Sequence, residues 1–341
     1  MPLLLISSLA LAPVGGLADA QLAGQRIVTS FRGTTLSRSL AGRIGHGEVA
    51  GVILFKENVT STAQTRRLIA DIQAVPRPPG LRAPLLVMID QEGGRVRRLP
   101  GGPPAAASVT TPEQARAAGQ TAGAALRAVG ANVDLAPVAD VGRAGGFLAG
   151  QRRTYPSAAE VVGFHQGLMD RGILGAAKHF PGLGAAAVNT DLAPSAIRVS
   201  RETLIATDEA PFRALISDGI KLVMVASAAY PALDPKPAVF SKTVVTGELR
   251  GRLGFQGVVM TDSLNAGALR PVGGPGPSSV RAAAAGVDLM LVTSERAATD
   301  VQRSLIHAYR TGTLRRDRAR TSVQRITGLR AGLPTPVPPG G

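Results

Sequence analysis

Polar side chains follow short apolar segments at seven points of the sequence. The residues in these positions are Lys56, Asp90, Asp140, Lys178 with His179, Ser227, Asp262 and Ser294. If the segments are parallel strands of a barrel, their carboxyl ends gather these side chains at one face of the protein. Carboxylates accept hydrogen bonds from paired hydroxyl groups, and Lys or Arg donates to ring oxygens and carbonyls. The residue types therefore predict a site for a polyhydroxylated ligand.

Some of these acidic residues also have a purely structural interpretation. Asp262 alone could cap the following helix, and Asp90 alone could pair with Arg98. Glu92, in "DQEGG", is interpreted as an anchor of its own loop through Arg95 or backbone amides. For Asp90 and Asp262 the recurrence of ionisable groups at one predicted face favours the functional interpretation.

The segment "KHFPGLGAAAVNTD", residues 178–191, joins two groups that could do chemistry. It opens on Lys178 and His179 at the end of an apolar run, continues through glycines and alanines, and ends on Asp191. Small residues with little to pack favour a loop rather than a helix or strand. The pattern predicts a loop that carries one carboxylate beside a pair of cationic or titratable side chains.

Eight short apolar runs must position these residues. They span 25–31, 51–55, 84–90, 132–138, 173–179, 221–227, 256–262 and 287–293. Continuous hydrophobicity without polar alternation is typical of strands that are buried on both faces of a parallel sheet. Segments of helical composition, at 62–74, 111–130, 158–172, 207–219 and 296–331, lie between or after them. Eight such units predict one α/β domain, a (β/α)8 TIM-type barrel over 21–331.

The alternative architecture is a doubly wound open sheet. The first strand–helix turn, "SFRGTTLS", lacks the GxGxxG pattern, so a dinucleotide site is not expected there. The segment 270–279, "RPVGGPGPSS", is predicted to be a mobile loop, and 332–341 a disordered Pro/Gly tail.

Composition excludes several classes of function. The chain has no cysteine, and its four histidines show no ligand spacing, so no metal site is expected. The net charge of +15 would suit an anionic partner, but the arginines are dispersed along the chain. With 3% aromatic residues and no Trp, a nucleic-acid partner is not expected.

Residues 1–20 are predicted to be a signal peptide, because an apolar run precedes Ala18-Asp19-Ala20, which resembles an A-x-A cleavage site. The segment before the apolar run lacks the Lys or Arg that signal peptides usually have there. The predicted location is therefore secreted or cell-envelope. The alternative is that the run forms a short first element of a cytoplasmic protein. No later segment has the apolar length that membrane insertion needs.

Four motifs resemble the signature segments of glycoside hydrolase family 3. They are "MIDQEGGRVRRLP", "NVDLAPVADV", "KHFPGLG" and "LGFQGVVMTDSL", in order between about residues 22 and 310. The similar branch is the single-domain β-N-acetylglucosaminidases of bacterial cell-wall recycling. The resemblance implies a (β/α)8 barrel and a retaining β-glycosidase that acts on an oligosaccharide or peptidoglycan fragment without a cofactor.

The resemblance also implies a role for individual residues. Asp262 in "MTDSL" matches the catalytic nucleophile, which forms a covalent glycosyl-enzyme. The residues that match the sugar-binding positions are Asp90, Arg98, Arg153 (with Arg152 as the neighbouring alternative), Lys178 and His179.

The sequence departs from the family pattern at the proton donor. The recycling glucosaminidases have Asp-Ser-His after "KHFPGHG", whereas this chain has Asn189-Thr190-Asp191, with Leu183 in place of the His of "PGHG". Two hypotheses follow. Either Asp191 is the general acid/base opposite Asp262, or the donor is lost and the protein is a catalytically silent carbohydrate-binding relative.

Two further alternatives stay open from the sequence. An aldolase or isomerase on the same barrel would use a strand-end Lys with a lowered pKa, and Lys178 is the candidate. Within the resembling family, the preferred sugar could be glucose instead of N-acetylglucosamine.

Overall fold

A closed barrel of eight parallel strands forms the centre of the computed structural model, which describes residues 16–334. The strands are β1 (Ile27–Thr29), β2 (Gly51–Leu54), β3 (Leu86–Ile89), β4 (Val133–Asp134), β5 (Leu174–Phe180), β6 (Leu222–Val225), β7 (Val258–Ser263) and β8 (Leu289–Val292). The first strand pairs with the last through Ile27 and Met290, which closes the sheet. The predicted single-domain (β/α)8 barrel is therefore confirmed, and the open-sheet alternative is wrong.

Helices follow the strands and cover the outside of the barrel. The α-helices span Asp19–Gly24, Arg38–Gly45, Thr62–Ala74, Pro112–Val129, Phe147–Gly150, Ala158–Met169, Arg201–Thr203, Ala210–Ser217, Pro275–Ala285, Glu295–Arg310 and Arg316–Ala331. Two π-helices span Leu204–Asp208 and Thr243–Arg252, and 3₁₀-helices include Lys56–Asn58 and Gly267–Val272. Two antiparallel hairpins, Gln91–Gly93 with Val96–Arg97 and Ala229–Tyr230 with Asp234–Pro237, were not predicted.

One helix prediction and one loop prediction need correction. The segment 296–331 is two helices, because the chain turns at Gly312, whose φ of 76° is left-handed. The segment 270–279 is largely helical and not a loop, because Pro275 stands in the first turn of the helix Pro275–Ala285, where its missing amide hydrogen is not needed.

The predicted boundaries at the chain ends fall at the edge of the described residues. Residues 1–15 and 335–341 lie outside them, so the signal peptide and most of the predicted tail stay predictions. The helix Asp19–Gly24 begins before the predicted boundary at 21, and Asp19 accepts two hydrogen bonds from Arg316. In the described part of the chain, no helix has both the length and the apolar character needed to cross a membrane.

The strands are buried on both faces, which explains their lack of polar alternation. On β3, Leu86 and Met88 belong to the cluster inside the barrel, whereas Val87 and Ile89 pack with the surrounding helices. Successive side chains of a strand point to opposite faces, so each strand contributes to both layers of the core.

The C-terminal helix, Arg316–Ala331, closes one end of the barrel. Ile326 belongs to the apolar cluster inside the barrel. Arg330 is fully buried and donates hydrogen bonds to the backbone carbonyls of Leu81, Ala83 and Pro84 and to the side chain of Gln25. These acceptors precede β1 and β3, so the helix covers the amino-terminal ends of the strands. The carboxyl ends remain available for a pocket.

We predict that Arg330→Leu destabilises the protein, because it removes the donor from four acceptors, of which those of Gln25 and Leu81 are buried and those of Ala83 and Pro84 are half-buried. Each buried unsatisfied group costs about 1–3 kcal/mol, so the free energy of unfolding should fall by at least about 3 kcal/mol. Arg320→Leu, on the same helix but exposed, is the control and should change it by about 0.5 kcal/mol or less. Urea unfolding followed by circular dichroism measures both. Equal small changes would contradict the assigned role of Arg330.

Candidate active site

A pocket of about 380 Å³ opens at the carboxyl ends of the strands. All seven residues predicted for the site line it: Asp90, Arg98, Arg153, Lys178, His179, Asp191 and Asp262. Of the other strand-end residues, Lys56 is exposed outside the pocket wall, and Ser294 caps the helix Glu295–Arg310 by accepting a hydrogen bond from the amide of Ala297. Asp140 and Ser227 are buried and do not line the pocket. The predicted convergence therefore holds for Asp90, Lys178, His179 and Asp262, and it does not hold for the other four strand-end residues.

The hairpin after β3 returns Arg98 to Asp90. The side chain of Gln91 holds this hairpin, because its amide nitrogen donates to the carbonyls of Leu99 and Gly102 while its oxygen accepts from the amides of Arg98 and Leu99. Arg98 Nη2 then lies 3.0 Å from Asp90 Oδ2. This ion pair was considered in the sequence as an alternative to a binding role, and it lies in the pocket wall.

Lys178 lies between two carboxylates. Its Nζ is 2.8 Å from Asp90 Oδ1 and 2.6 Å from Glu92 Oε1. Arg153 completes the network, because its Nε and Nη2 each lie 2.8 Å from a carboxylate oxygen of Glu92. Three cations and two carboxylates thus share one wall of the pocket, and Lys178 is only 3% exposed.

These contacts decide the protonation states in the wall. Burial disfavours a charged Asp90, but Lys178 and Arg98 outweigh it and lower the pKa of Asp90 to about 2. Lys178 and Arg153 likewise lower the pKa of Glu92 against its burial. Although burial opposes it, the two carboxylates raise the pKa of Lys178. The shift is opposite to the lowered pKa that the aldolase or isomerase alternative requires, so it does not support that alternative.

Asp140 orients His179. Its carboxylate lies 2.7 Å from His179 Nδ1 and accepts hydrogen bonds from the backbone amides of His179 and Leu183. Because Nδ1 is engaged, the other ring nitrogen, Nε2, is the one left for a ligand in the pocket. Asp140 was recognised in the sequence as a strand-end carboxylate, but its role as the partner of His179 was not.

Asp262 lies at the end of β7, where it is half-buried and accepts a 2.7 Å hydrogen bond from the amide of Ser263. Burial raises its pKa, and the negative charge of Asp191 raises it further, while the nearby His179 opposes this shift. The two predicted catalytic carboxylates line the same pocket.

Asp191 is exposed at the edge of the pocket, on the loop after β5. The Asn189 side-chain oxygen accepts a 3.0 Å hydrogen bond from the amide of Asp191, so Asn189 shapes the turn that presents this carboxylate. Asn189 and Thr190 line the pocket beside Asp191. All three residues of the Asn189-Thr190-Asp191 segment, and Leu183, the other departure from the family pattern, therefore line the same cavity.

Of the two adjacent arginines, Arg153 lines the pocket and Arg152 does not. Arg152 has a left-handed backbone, with φ of 59°, and its side chain turns outward to donate a 2.7 Å hydrogen bond to Ser108 Oγ. Arg153 faces the pocket and pairs with Glu92.

Glu92 is the main residue of the site whose contacts the sequence interpretation missed. It binds Arg153 and Lys178, and not Arg95 as expected. The sequence contained an indication of this role, because Glu92 follows Asp90 by two residues, and side chains two apart on an extended chain point to the same side.

Asp134, on β4, is a second carboxylate whose environment the sequence interpretation missed. Burial raises its pKa to about 8, and the Gln91 amide donates to it at 2.9 Å.

The family profile described as the glycosyl hydrolase family 3 N-terminal domain matches residues 19–329. The chain belongs to glycoside hydrolase family 3. It is 39% identical to a secreted glycosyl hydrolase of Arthroderma benhamiae over 94% of this chain and 96% of that one. It is 37% identical to a β-hexosaminidase of Alkalilimnicola ehrlichii over 78% and 80%. This protein is therefore a glycoside hydrolase.

A solved structure supports the same assignment. The family 3 β-N-acetylglucosaminidase of a Paenibacillus species superposes with a TM-score of 0.87 at 32% sequence identity, over 95% of this chain. This chain spans 65% of that protein. Within residues 16–334, no group of three or more His, Asp or Glu side chains is placed to hold a metal ion.

We predict that Lys178→Met destabilises the fold in a pH-dependent way. Removing the shared cation leaves Asp90 and Glu92 facing each other in a buried site, and loss of one partner of a buried ion pair costs about 3–5 kcal/mol. The repulsion raises the pKa of both carboxylates, so proton uptake relieves it as the pH falls. Urea unfolding should show a larger deficit at pH 8 than at pH 5.

Lys56→Met is the control for this experiment, because Lys56 is exposed at the end of β2. Its effect should be small and equal at the two pH values. In the wild type, the depressed pKa of Asp90 keeps its contribution to stability constant from pH 8 to pH 5, since that contribution is lost only as the pH falls toward about 2. A deficit of Lys178→Met that does not change with pH would contradict the assigned network.

Proposed function

We propose that this protein is a retaining β-N-acetylhexosaminidase, with Asp262 as nucleophile and Asp191 as general acid/base. The observation that carries the proposal is that the two carboxylates line one pocket from different elements, one at the end of β7 and one on the loop after β5. Retaining glycosidases use two carboxyl groups about 5–5.5 Å apart on either side of the scissile bond.

In the first step, Asp262 attacks the anomeric carbon of the terminal sugar. The bond to the leaving oxygen breaks, and Asp191 donates a proton to that oxygen. In the second step, Asp191 takes a proton from water, and this water displaces Asp262 from the anomeric carbon. The two displacements together retain the configuration of the sugar. His179 lines the pocket with Asp262, and Asp140 fixes the orientation of its ring.

The remaining residues of the wall hold the sugar. The oxygens of Asp90 accept hydrogen bonds from hydroxyl groups, and Arg98, Lys178 and Arg153 donate to hydroxyl or carbonyl oxygens. A volume of about 380 Å³ is near the lower end of ligand pockets, which suits one terminal sugar rather than an internal part of a chain.

N-acetylglucosamine is the proposed sugar, because the relatives with this fold include a β-hexosaminidase and a β-N-acetylglucosaminidase. The proposed substrates are cell-wall fragments or other oligosaccharides that end in this sugar. A location outside the membrane is proposed from the predicted signal peptide and from the relative that is named a secreted hydrolase.

We predict that Asp262→Asn abolishes hydrolysis of aryl β-N-acetylglucosaminides, because the nucleophile is lost. Asp191→Asn should lower kcat/KM by about 10²–10⁴-fold for N,N′-diacetylchitobiose and much less for a dinitrophenyl glycoside, whose leaving group needs no proton. Proton NMR of the first product should show the β-anomer. Aryl β-glucoside, assayed beside these substrates, tests the preference for the acetamido sugar.

Glu57→Gln is the control, because Glu57 is an exposed carboxylate on the same side of the barrel but outside the pocket wall. It should leave both substrates unaffected. If the wild type is as inert as Asp262→Asn but binds N-acetylglucosamine saturably, the protein is instead a catalytically silent carbohydrate-binding relative. The change from Asp-Ser-His to Asn189-Thr190-Asp191 is the observation that favours this second candidate.

We predict that the acid limb of the pH profile reports Asp262. The nucleophile must be ionised, and burial and Asp191 raise its pKa, so kcat/KM for the dinitrophenyl glycoside should fall at a pH above the ordinary value for Asp, about 3.9. Asp191→Asn removes a negative charge, lowers the pKa of Asp262 and should move this limb to lower pH. A limb that does not move would contradict the proposed proximity of the two carboxylates.

A further inference from the structure

The loop that carries Asp191 is bonded to the segment that follows the nucleophile. The amide of Gly267 donates a 2.8 Å hydrogen bond to the backbone carbonyl of Asp191, and the amide of Ala268 donates a 3.0 Å hydrogen bond to the carbonyl of Thr190. Both amides begin the 3₁₀-helix Gly267–Val272, where amide groups have no partner within the helix. The two catalytic loops are therefore joined by backbone bonds.

Gly267 allows the two segments to approach more closely than any other residue would. A Cβ atom at this position would lie 2.1 Å from the carbonyl oxygen of Leu192 and 2.9 Å from that of Asp191. These are backbone atoms, so no side-chain rotation relieves the overlap. The backbone of Gly267 is not left-handed, so space and not conformation requires glycine here.

Most of the loop lies at the surface, and Thr190 is buried beneath it. Val188 is 45% exposed and Leu192 is 71% exposed, and Asp191 itself is exposed. Within the loop, the carbonyl of Asn189 accepts hydrogen bonds from the amides of Leu192 and Ala193. The segment 189–193 is therefore a compact turn, and its backbone is joined to Gly267 and Ala268.

We infer that Gly267 is a positioning residue for the general acid, and that it sets the distance of Asp191 from Asp262. The inference rests on the proposed function, because it assigns a role to Gly267 only if Asp191 transfers the proton. Gly267 follows Asp262 by five residues in the same strand–loop segment, so one segment carries both the nucleophile and the contact with the loop of the acid. Gly267 itself touches no substrate.

The size of the expected effect follows from the overlap. To relieve a 2.1 Å contact, the loop must move by about 1 Å. A general acid must lie within about 2.6–3.2 Å of the oxygen that it protonates, and a misplacement of 1 Å can reduce the rate by about 10²-fold. A displaced acid affects only substrates whose leaving group needs a proton.

The test is Gly267→Ala, assayed with N,N′-diacetylchitobiose and with dinitrophenyl β-N-acetylglucosaminide. We expect kcat/KM to fall by about 10–100-fold for the first substrate and by less than about 3-fold for the second. The double variant Gly267→Ala/Asp191→Asn should be no slower on chitobiose than Asp191→Asn alone, because both changes remove the same function. Gly42→Ala, at a helical glycine with nothing within 4 Å of its Cβ, is the control and should leave both substrates unaffected.

A second variant breaks the same contact without adding a group beside Leu192. Ala268→Pro removes the amide hydrogen that bonds the Thr190 carbonyl, and it should give the same substrate-selective loss. Urea unfolding of each variant separates this effect from a loss of folded protein. Equal losses on both substrates, or losses that add to that of Asp191→Asn, would overturn the inference.

The two proposals fail in different ways. If Asp191→Asn slows chitobiose selectively and neither Gly267→Ala nor Ala268→Pro does, only the positioning role is wrong. If Asp191→Asn has no effect that depends on the leaving group, the acid assignment in the proposed function is wrong, and the role of Gly267 falls with it.

Discussion

One buried cation determines the geometry of the pocket. Lys178, at the end of β5, bonds Asp90 at the end of β3 and Glu92 on the following hairpin, and so joins strands that are distant in the sequence. Two carboxylates this close would not both ionise in a buried wall without cations, because burial and mutual repulsion favour their neutral forms. With Lys178, Arg98 and Arg153 in place they are charged and accept hydrogen bonds. The charge state of this wall therefore depends on an ion-pair network more than on any single contact.

The barrel interior contributes to the chemistry as well as to stability. Apolar side chains of the barrel interior, among them Ile53, Leu135, Met224 and Leu291, also line the pocket. This apolar layer keeps water from the inner side of Asp262, and the resulting desolvation raises the pKa of that carboxylate. The C-terminal helix closes the opposite end through Arg330, so the interior stays packed. The packing that stabilises the strands therefore also sets the protonation of the group at the end of β7.

The fold could be predicted because each of the eight apolar runs is a local pattern, and eight strand–helix units are typical of a closed barrel. The position of the site could be predicted because carboxyl ends of parallel strands share one face. The ion pairs within the site could not be predicted. Glu92 and Arg153, for example, lie far apart in the sequence, and they meet because the loops after β3 and β4 approach each other. The contact between Gly267 and the loop of Asp191 could not be predicted either, since the sequence alone does not show which loops touch. The segment 270–279 was mistaken for a loop because proline and glycine also begin helices.

The two departures from the family pattern at Asn189 and Asp191 can be explained together. A histidine acid needs a carboxylate partner to fix its tautomer and orientation, and a carboxylic acid does not. With Asp at 191, a second carboxylate at 189 would add negative charge beside Asp262 and raise the pKa of the nucleophile further. The neutral Asn189 avoids this repulsion, and its side-chain oxygen accepts the amide of Asp191 in the turn. In the proposed mechanism, backbone hydrogen bonds from Gly267 and Ala268, instead of a charged side chain, orient the loop of Asp191.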